Sequence, residues 1–163
     1  MNVLLRIFIP LVMLLACMPV RANSPQTWPV SPSRLSLTTP YGRLHIDTNE
    51  YIYESRLLID DAEVQPHVRG ILNITYAFKR PDALIALVSI NDGNGDCPIS
   101  YRWVILKKSG YTLSPSFGSC SERIAVTAKG HKLTMRTPSA MKPDKIDVYT
   151  YDGKEIRRTT TSN

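Results

Sequence analysis

Leu72-Asn73-Ile74-Thr75-Tyr76-Ala77-Phe78 alternates large apolar residues with small or polar ones, and that period of two decides the fold class. Successive side chains of an extended chain point to opposite faces. Leu72, Ile74, Tyr76 and Phe78 are therefore expected to face a core together, with Asn73, Thr75 and Ala77 pointing away. The next apolar run, Ala83 to Ile90, is almost continuous, and it ends in the glycine-rich stretch Asn91 to Gly95. Its strand-like length, its Val88 and Ile90 and that stop predict a central strand covered on both faces rather than a helix.

Outward from this pair the same pattern recurs in short pieces separated by turn residues. Downstream, Tyr101, Trp103 and Ile105 alternate with Arg102, Val104 and Leu106, and Lys108-Ser109-Gly110 turns the chain back into Tyr111 to Leu113. Arg123 to Ala128 and Lys132 to Arg136 flank Lys129-Gly130-His131, a second hairpin. Ile146 to Tyr151 leads into Asp152-Gly153 and a third, where the glycine supplies the positive φ that tight hairpin turns require. Upstream, Leu44 and Ile46 alternate with Arg43, His45 and Asp47. Tyr51 to Ile59 continues in that style, and Asp60-Asp61 is a turn before Val64. No segment holds a helical period and no internal repeat is visible. The expectation is an all-β single domain over residues 34–158, an antiparallel meander of hairpins forming a twisted sheet that closes toward a small barrel or sandwich, with a polar tail at 159–163.

The N-terminus has a different composition. Met1 and Arg6 precede a nearly unbroken apolar run, Ile7 to Cys17, too short for a bilayer anchor and followed by Pro19-Val20-Arg21-Ala22. This is the pattern of a secretion signal over residues 1–22, with cleavage after Ala22. Leu14-Leu15-Ala16-Cys17 also resembles the lipobox of bacterial lipoproteins, in which Cys17 would be acylated, so both processing routes stay open. Periplasmic location follows from the first and outer-membrane attachment from the second. Residues 23–33, with Pro25, Pro29 and Pro32 among serines, read as a loose arm or tether.

Beyond residue 22 the chain retains two cysteines, Cys97 and Cys120. An even pair in an oxidising compartment reads as a disulfide, here closing a loop of about 24 residues, and such closure contributes about 3 kcal/mol. Neither cysteine has a nearby histidine or CxxC spacing for metal. Without Arg6 and Arg21, the 18 remaining basic residues against 14 acidic ones leave +4, spread along the chain rather than clustered. That balance favours ordinary solubility, or loose attraction to an acidic partner or anionic lipid head groups, and not nucleic acid in this compartment.

Asp92-Gly93-Asn94-Gly95-Asp96-Cys97-Pro98, then Tyr101-Arg102, then Ser114-Pro115-Ser116-Phe117-Gly118-Ser119-Cys120-Ser121 resembles a group of small exported proteobacterial proteins that share a cysteine-proline and tyrosine segment, a strand, and a phenylalanine-glycine-x-cysteine-serine segment. The tyrosine-rich strand running into Asp152-Gly153-Lys154 looks like theirs. The likeness covers about the last two-thirds of the mature chain. It implies export, a β fold and the disulfide, and it carries over no activity and no catalytic residue.

The loop Asp92-Gly93-Asn94-Gly95-Asp96 places oxygen ligands at alternate positions, but the twelfth position of an EF-hand counted from Asp92 is Trp103, so a connecting loop is the plainer reading. His45, His67 and His131 lie in three segments without ligand spacing, and no GxSxG nucleophile is present. Ser109-Gly110-Tyr111 shares residue types with the serine-glycine-x-x-tyrosine loop of periplasmic inhibitors of C-type lysozyme, without its spacing. Asn73-Ile74-Thr75 fits the glycosylation pattern but sits in a strand of a bacterial-type protein. No metal, cofactor or catalytic set is expected. A binding or inhibitor module of the immunity-protein type, meeting another protein through Asp92, Asn94, Asp96 and Phe117 on the disulfide-linked loops, is the leading expectation. The alternatives are a lipoprotein component of an envelope or transfer apparatus anchored at Cys17, touching membrane only if lipidated, and a periplasmic hydrolase.

Overall fold

The computed structural model describes residues 27–49, 51–52 and 54–162. The expected signal, its cleavage after Ala22 and the lipidation at Cys17 lie outside those residues. Strands account for most of what is described: β1 (Ser36–Thr39), β2 (Gly42–Asn49), β3 (Glu54–Ile59), β4 (Ala62–Glu63), β5 (Arg69–Lys79), β6 (Leu84–Asn91), β7 (Ser100–Lys107), β8 (Gly110–Leu113), β9 (Ala125–Lys129), β10 (Lys132–Pro138), β11 (Lys145–Tyr151) and β12 (Ile156–Ser162). Every strand pairing is antiparallel, and no helix occurs among the described residues. One sheet runs β1-β2-β3-β5-β6-β7-β8 with β4 beside β3, and a second runs β12-β11-β10-β9. Neither closes into a barrel, because each sheet keeps two free edges.

β6 explains how these sheets stack. Leu84, Ala86, Val88 and Ile90 enter one core with Leu44 and Ile46 of β2, Leu57 of β3, Val64 and Val68. The intervening Ile85 and Leu87 enter another with Leu133 and Met135 of β10 and Tyr149 and Tyr151 of β11. The expected strand covered on both faces is therefore present, with β1–β4 folded over one side and β9–β12 laid on the other. The first sheet turns its corner at Gly70, where β5 passes from pairing with β3 to pairing with β6. Gly70 has φ 127°, and a Cβ there would stand 2.4 Å from the Asn91 carbonyl oxygen, so no other residue fits.

The deciding stretch corrects its own reading. Ile74 pairs with Val88 but Tyr76 pairs with Leu87, so Thr75 is the extra residue of a β-bulge. Leu72 and Ile74 consequently face the first core, whereas Tyr76 and Phe78 pack against the second. The bulged Thr75 is itself buried and donates its hydroxyl to the Leu87 carbonyl at 3.0 Å. Two boundaries also differ from expectation. The end of the arm is fastened to β5: Ser33 Oγ donates to Asn73 Oδ1 at 2.7 Å, and the Ile74 N–H donates to the carbonyl of Arg34, the next residue, at 2.9 Å. The polar tail is ordered too, Val148 facing Thr159 and Lys145 facing Ser162 in β12, because β-branched threonines suit an extended edge even when exposed.

Meander topology sorts the connections into two ends. The turns after β5, β7, β9 and β11 gather at one end between the two sheets, and the disulfide, with the loops after β6 and β8, lies at the other.

Candidate functional site

The three expected hairpins form, and with them the disulfide end takes shape. Asn91 Oδ1 accepts from the Gly93 N–H at 2.9 Å, Asp92 Oδ1 from Asn94 at 3.0 Å and Asn94 Oδ1 from Asp96 at 3.1 Å. The alternate oxygens thus serve the loop's own backbone, as Asn and Asp do in turns. Residues 92–96 are all exposed on the surface. Among the described residues no three His, Cys, Asp or Glu side chains gather as metal ligands.

Directly after this loop, Cys97 is bonded to Cys120, with Cα atoms 4.7 Å apart. The segment on the far side is held residue by residue. Phe117, expected as a binding residue at a loop tip, is 8% exposed and packs against Tyr101, Trp103 and Tyr149. It is core because its backbone bridges to Tyr101 in both directions, at 2.8 and 3.0 Å, which turns the ring inward. Gly118 has φ 140°, and a Cβ there would meet the Tyr101 ring at 3.1 Å. Ser119 donates to Asp147 Oδ2 at 2.6 Å and lies 2.8 Å from the Tyr149 hydroxyl, which donates to the Gly118 carbonyl. The Tyr101 hydroxyl donates to the Ser121 carbonyl at 2.9 Å. Burial, then the nearby Glu122 carboxylate, pushes that phenol well above its ordinary pKa, so it stays protonated and keeps donating.

Asp147 anchors this network from β11. Burial alone would raise its pKa, but donation by Ser119, by Arg158 at 2.7 Å and by Thr160 at 2.7 Å outweighs burial and holds it at about 2. A serine beside a carboxylate suggests a nucleophile, yet Ser119 is 5% exposed and the group completing the set is arginine. The hydroxyl is spent on fixing the loop. His45, His67 and His131 remain on β2, before β5 and between β9 and β10, and are not brought together. His67 instead pairs with Glu63, which also holds Arg69.

Beside the disulfide, the arm from Trp28 to Ser33 borders an open groove of about 650 Å³ with Thr75, Ser89, Tyr101 and Glu122. The opposite end carries a tighter cleft of about 220 Å³, floored by Ile85, Ile105 and Leu133 and rimmed by Arg80, Asp82, Lys107, His131 and Asp152. Sequence reasoning did not assemble these five, since four separate turns contribute them. The basic residues, spread in sequence, also converge: Lys129, Lys132 and Arg157 share a shallow groove with His131 and Asp152. A comparison with family models, curated proteins and solved structures finds no match to the chain.

Proposed function

We propose that the protein is a non-catalytic binding module of the periplasm, of the inhibitor or immunity type, which holds a partner protein against its disulfide end. The observation that supports this reading is the contrast within that end. The Asp92–Asp96 loop is exposed, while the segment bonded to it is locked into the core through Phe117, Ser119 and Tyr101. A loop fixed before the partner arrives loses little conformational entropy on binding, which is where much of the cost of association otherwise lies. Asp92 and Asp96 make the tip of the presented loop acidic, so the part of the partner that meets it is basic. The absence of a long apolar helix among the described residues and the presence of the disulfide agree with export.

A photo-crosslinking side chain at position 94, in cells that export the protein, tests the reading. One discrete protein adduct is expected there and none from position 159 on β12, and Asp92→Lys with Asp96→Lys removes it. No adduct, or equal adducts from both positions, overturns the proposal.

A further inference from the structure

The cleft at the turn end has a chemistry independent of the disulfide loops. Its two acidic groups are already engaged. Asp82 faces Lys107 Nζ at 3.6 Å, and Asp152 Oδ1 accepts from the Lys154 and Glu155 amides at 2.9 and 3.2 Å. Arg80 is not. Its backbone N–H closes the β5–β6 turn on the Ala83 carbonyl at 2.8 Å, but Nη2 of its guanidinium is buried and has no hydrogen-bond partner among the described residues. The rest of the Arg80 side chain lines the cleft and pairs with no acid among the described residues, so an anion in the cleft meets a positive charge that neither Asp82 nor Asp152 neutralises.

The surroundings narrow the anion. Seating a dianion against an apolar floor costs more desolvation than seating a monoanion whose hydrocarbon end covers that floor, which disfavours phosphate. The floor of Ile85, Ile105 and Leu133 suits a short hydrocarbon body. At about 220 Å³ the cleft falls below the roughly 300–1,000 Å³ of sites for drug-sized ligands, so the occupant is small. We infer that the turn-end cleft binds a short aliphatic monocarboxylate, with its carboxylate on the Arg80 guanidinium and its hydrocarbon part on Ile85, Ile105 and Leu133. The same carboxylate chemistry is offered by a free acid and by the C-terminus of a peptide.

Amide chemical shifts of the oxidised mature chain, titrated with butyrate, butyramide, acetyl-alanyl-alanine and inorganic phosphate, test this. Saturable shifts confined to residues 80–85, 105–107, 131–133 and 151–153 are expected with the carboxylates and not with the neutral amide. The tighter of the two carboxylates identifies free acid or peptide end. Arg80→Gln weakens binding about tenfold or more, the worth of a charge-assisted hydrogen bond, and Arg80→Lys restores part of it. The inference is overturned by no response to either carboxylate at tens of millimolar, by equal binding of butyramide, by tighter binding of phosphate, or by undiminished binding to a folded Arg80→Gln protein. The butyrate and butyramide comparison holds whether or not that variant folds.

Discussion

Asp147 is fully buried and still ionised, and that combination makes it a pH-dependent element of stability. Its folded pKa of about 2 lies below the value of about 3.9 for an unfolded aspartate. The folded state therefore favours the carboxylate, and the resulting stabilisation is complete above about pH 4 and lost as pH falls toward 2. The difference is worth about 2–3 kcal/mol. Urea unfolding midpoints measured across this range are expected to drop for the native chain, while Asp147→Asn is less stable at neutral pH and shows a shallower acid dependence. An unchanged acid dependence in the variant would remove Asp147 from this role. Gly118 makes a second residue-scale case. A side chain there adopts a backbone region open to glycine and also presses on the Tyr101 ring, so Gly118→Ala is expected to cost about 1–3 kcal/mol in the same assay.

At the scale of the element, β5 is two half-strands with opposite allegiances joined at Thr75. Removing Thr75 takes out the extra residue and leaves Ile74 opposite Val88 and Tyr76 opposite Leu87, so Tyr76 and Phe78 keep their face beside Trp103 and only the buried hydrogen bond from Thr75 to the Leu87 carbonyl is lost. The deletion is expected to keep cooperative unfolding and the near-ultraviolet dichroism of the packed aromatics, at a cost of about 1–3 kcal/mol in urea unfolding for the lost buried hydrogen bond; loss of the aromatic dichroism would show that the bulge itself holds Tyr76 and Phe78 in place. The bulge was not legible in the sequence, because apolar residues on both of its sides satisfy one face as well as two. The hairpins around Ser109, Gly130 and Gly153 were legible, since turn chemistry is local and the flanking alternation is uninterrupted. β12 was obscured for the converse reason. Its run Arg157 to Ser162 has no apolar face, and only its pairing with β11 reveals it as a strand.

For the whole molecule, the antiparallel meander separates a covalently fastened end from an end made only of turns. The disulfide could be read from the count of cysteines, but the cleft could not, since Arg80, Lys107, His131 and Asp152 are far apart in sequence and meet only once two sheets are stacked. Phe117 was misplaced for a related reason: its bridge to Tyr101 turns inward a ring that loop composition alone puts outside. The separation predicts an uneven response to loss of the bond. Replacing Cys97 and Cys120 by alanine frees a loop whose ends are 23 residues apart, at a cost of about 3 kcal/mol in unfolding free energy. Because the loop is also held by Ser119, Tyr101 and Phe117, the native topology is expected to survive, with hydrogen exchange accelerating most over residues 92–99 and 114–121 and least at the turn end. Uniform acceleration over both ends would mean that the two are one cooperative unit. The amides around Arg80 and Asp152 are the place to measure the difference, since they lie farthest along the fold from the missing bond.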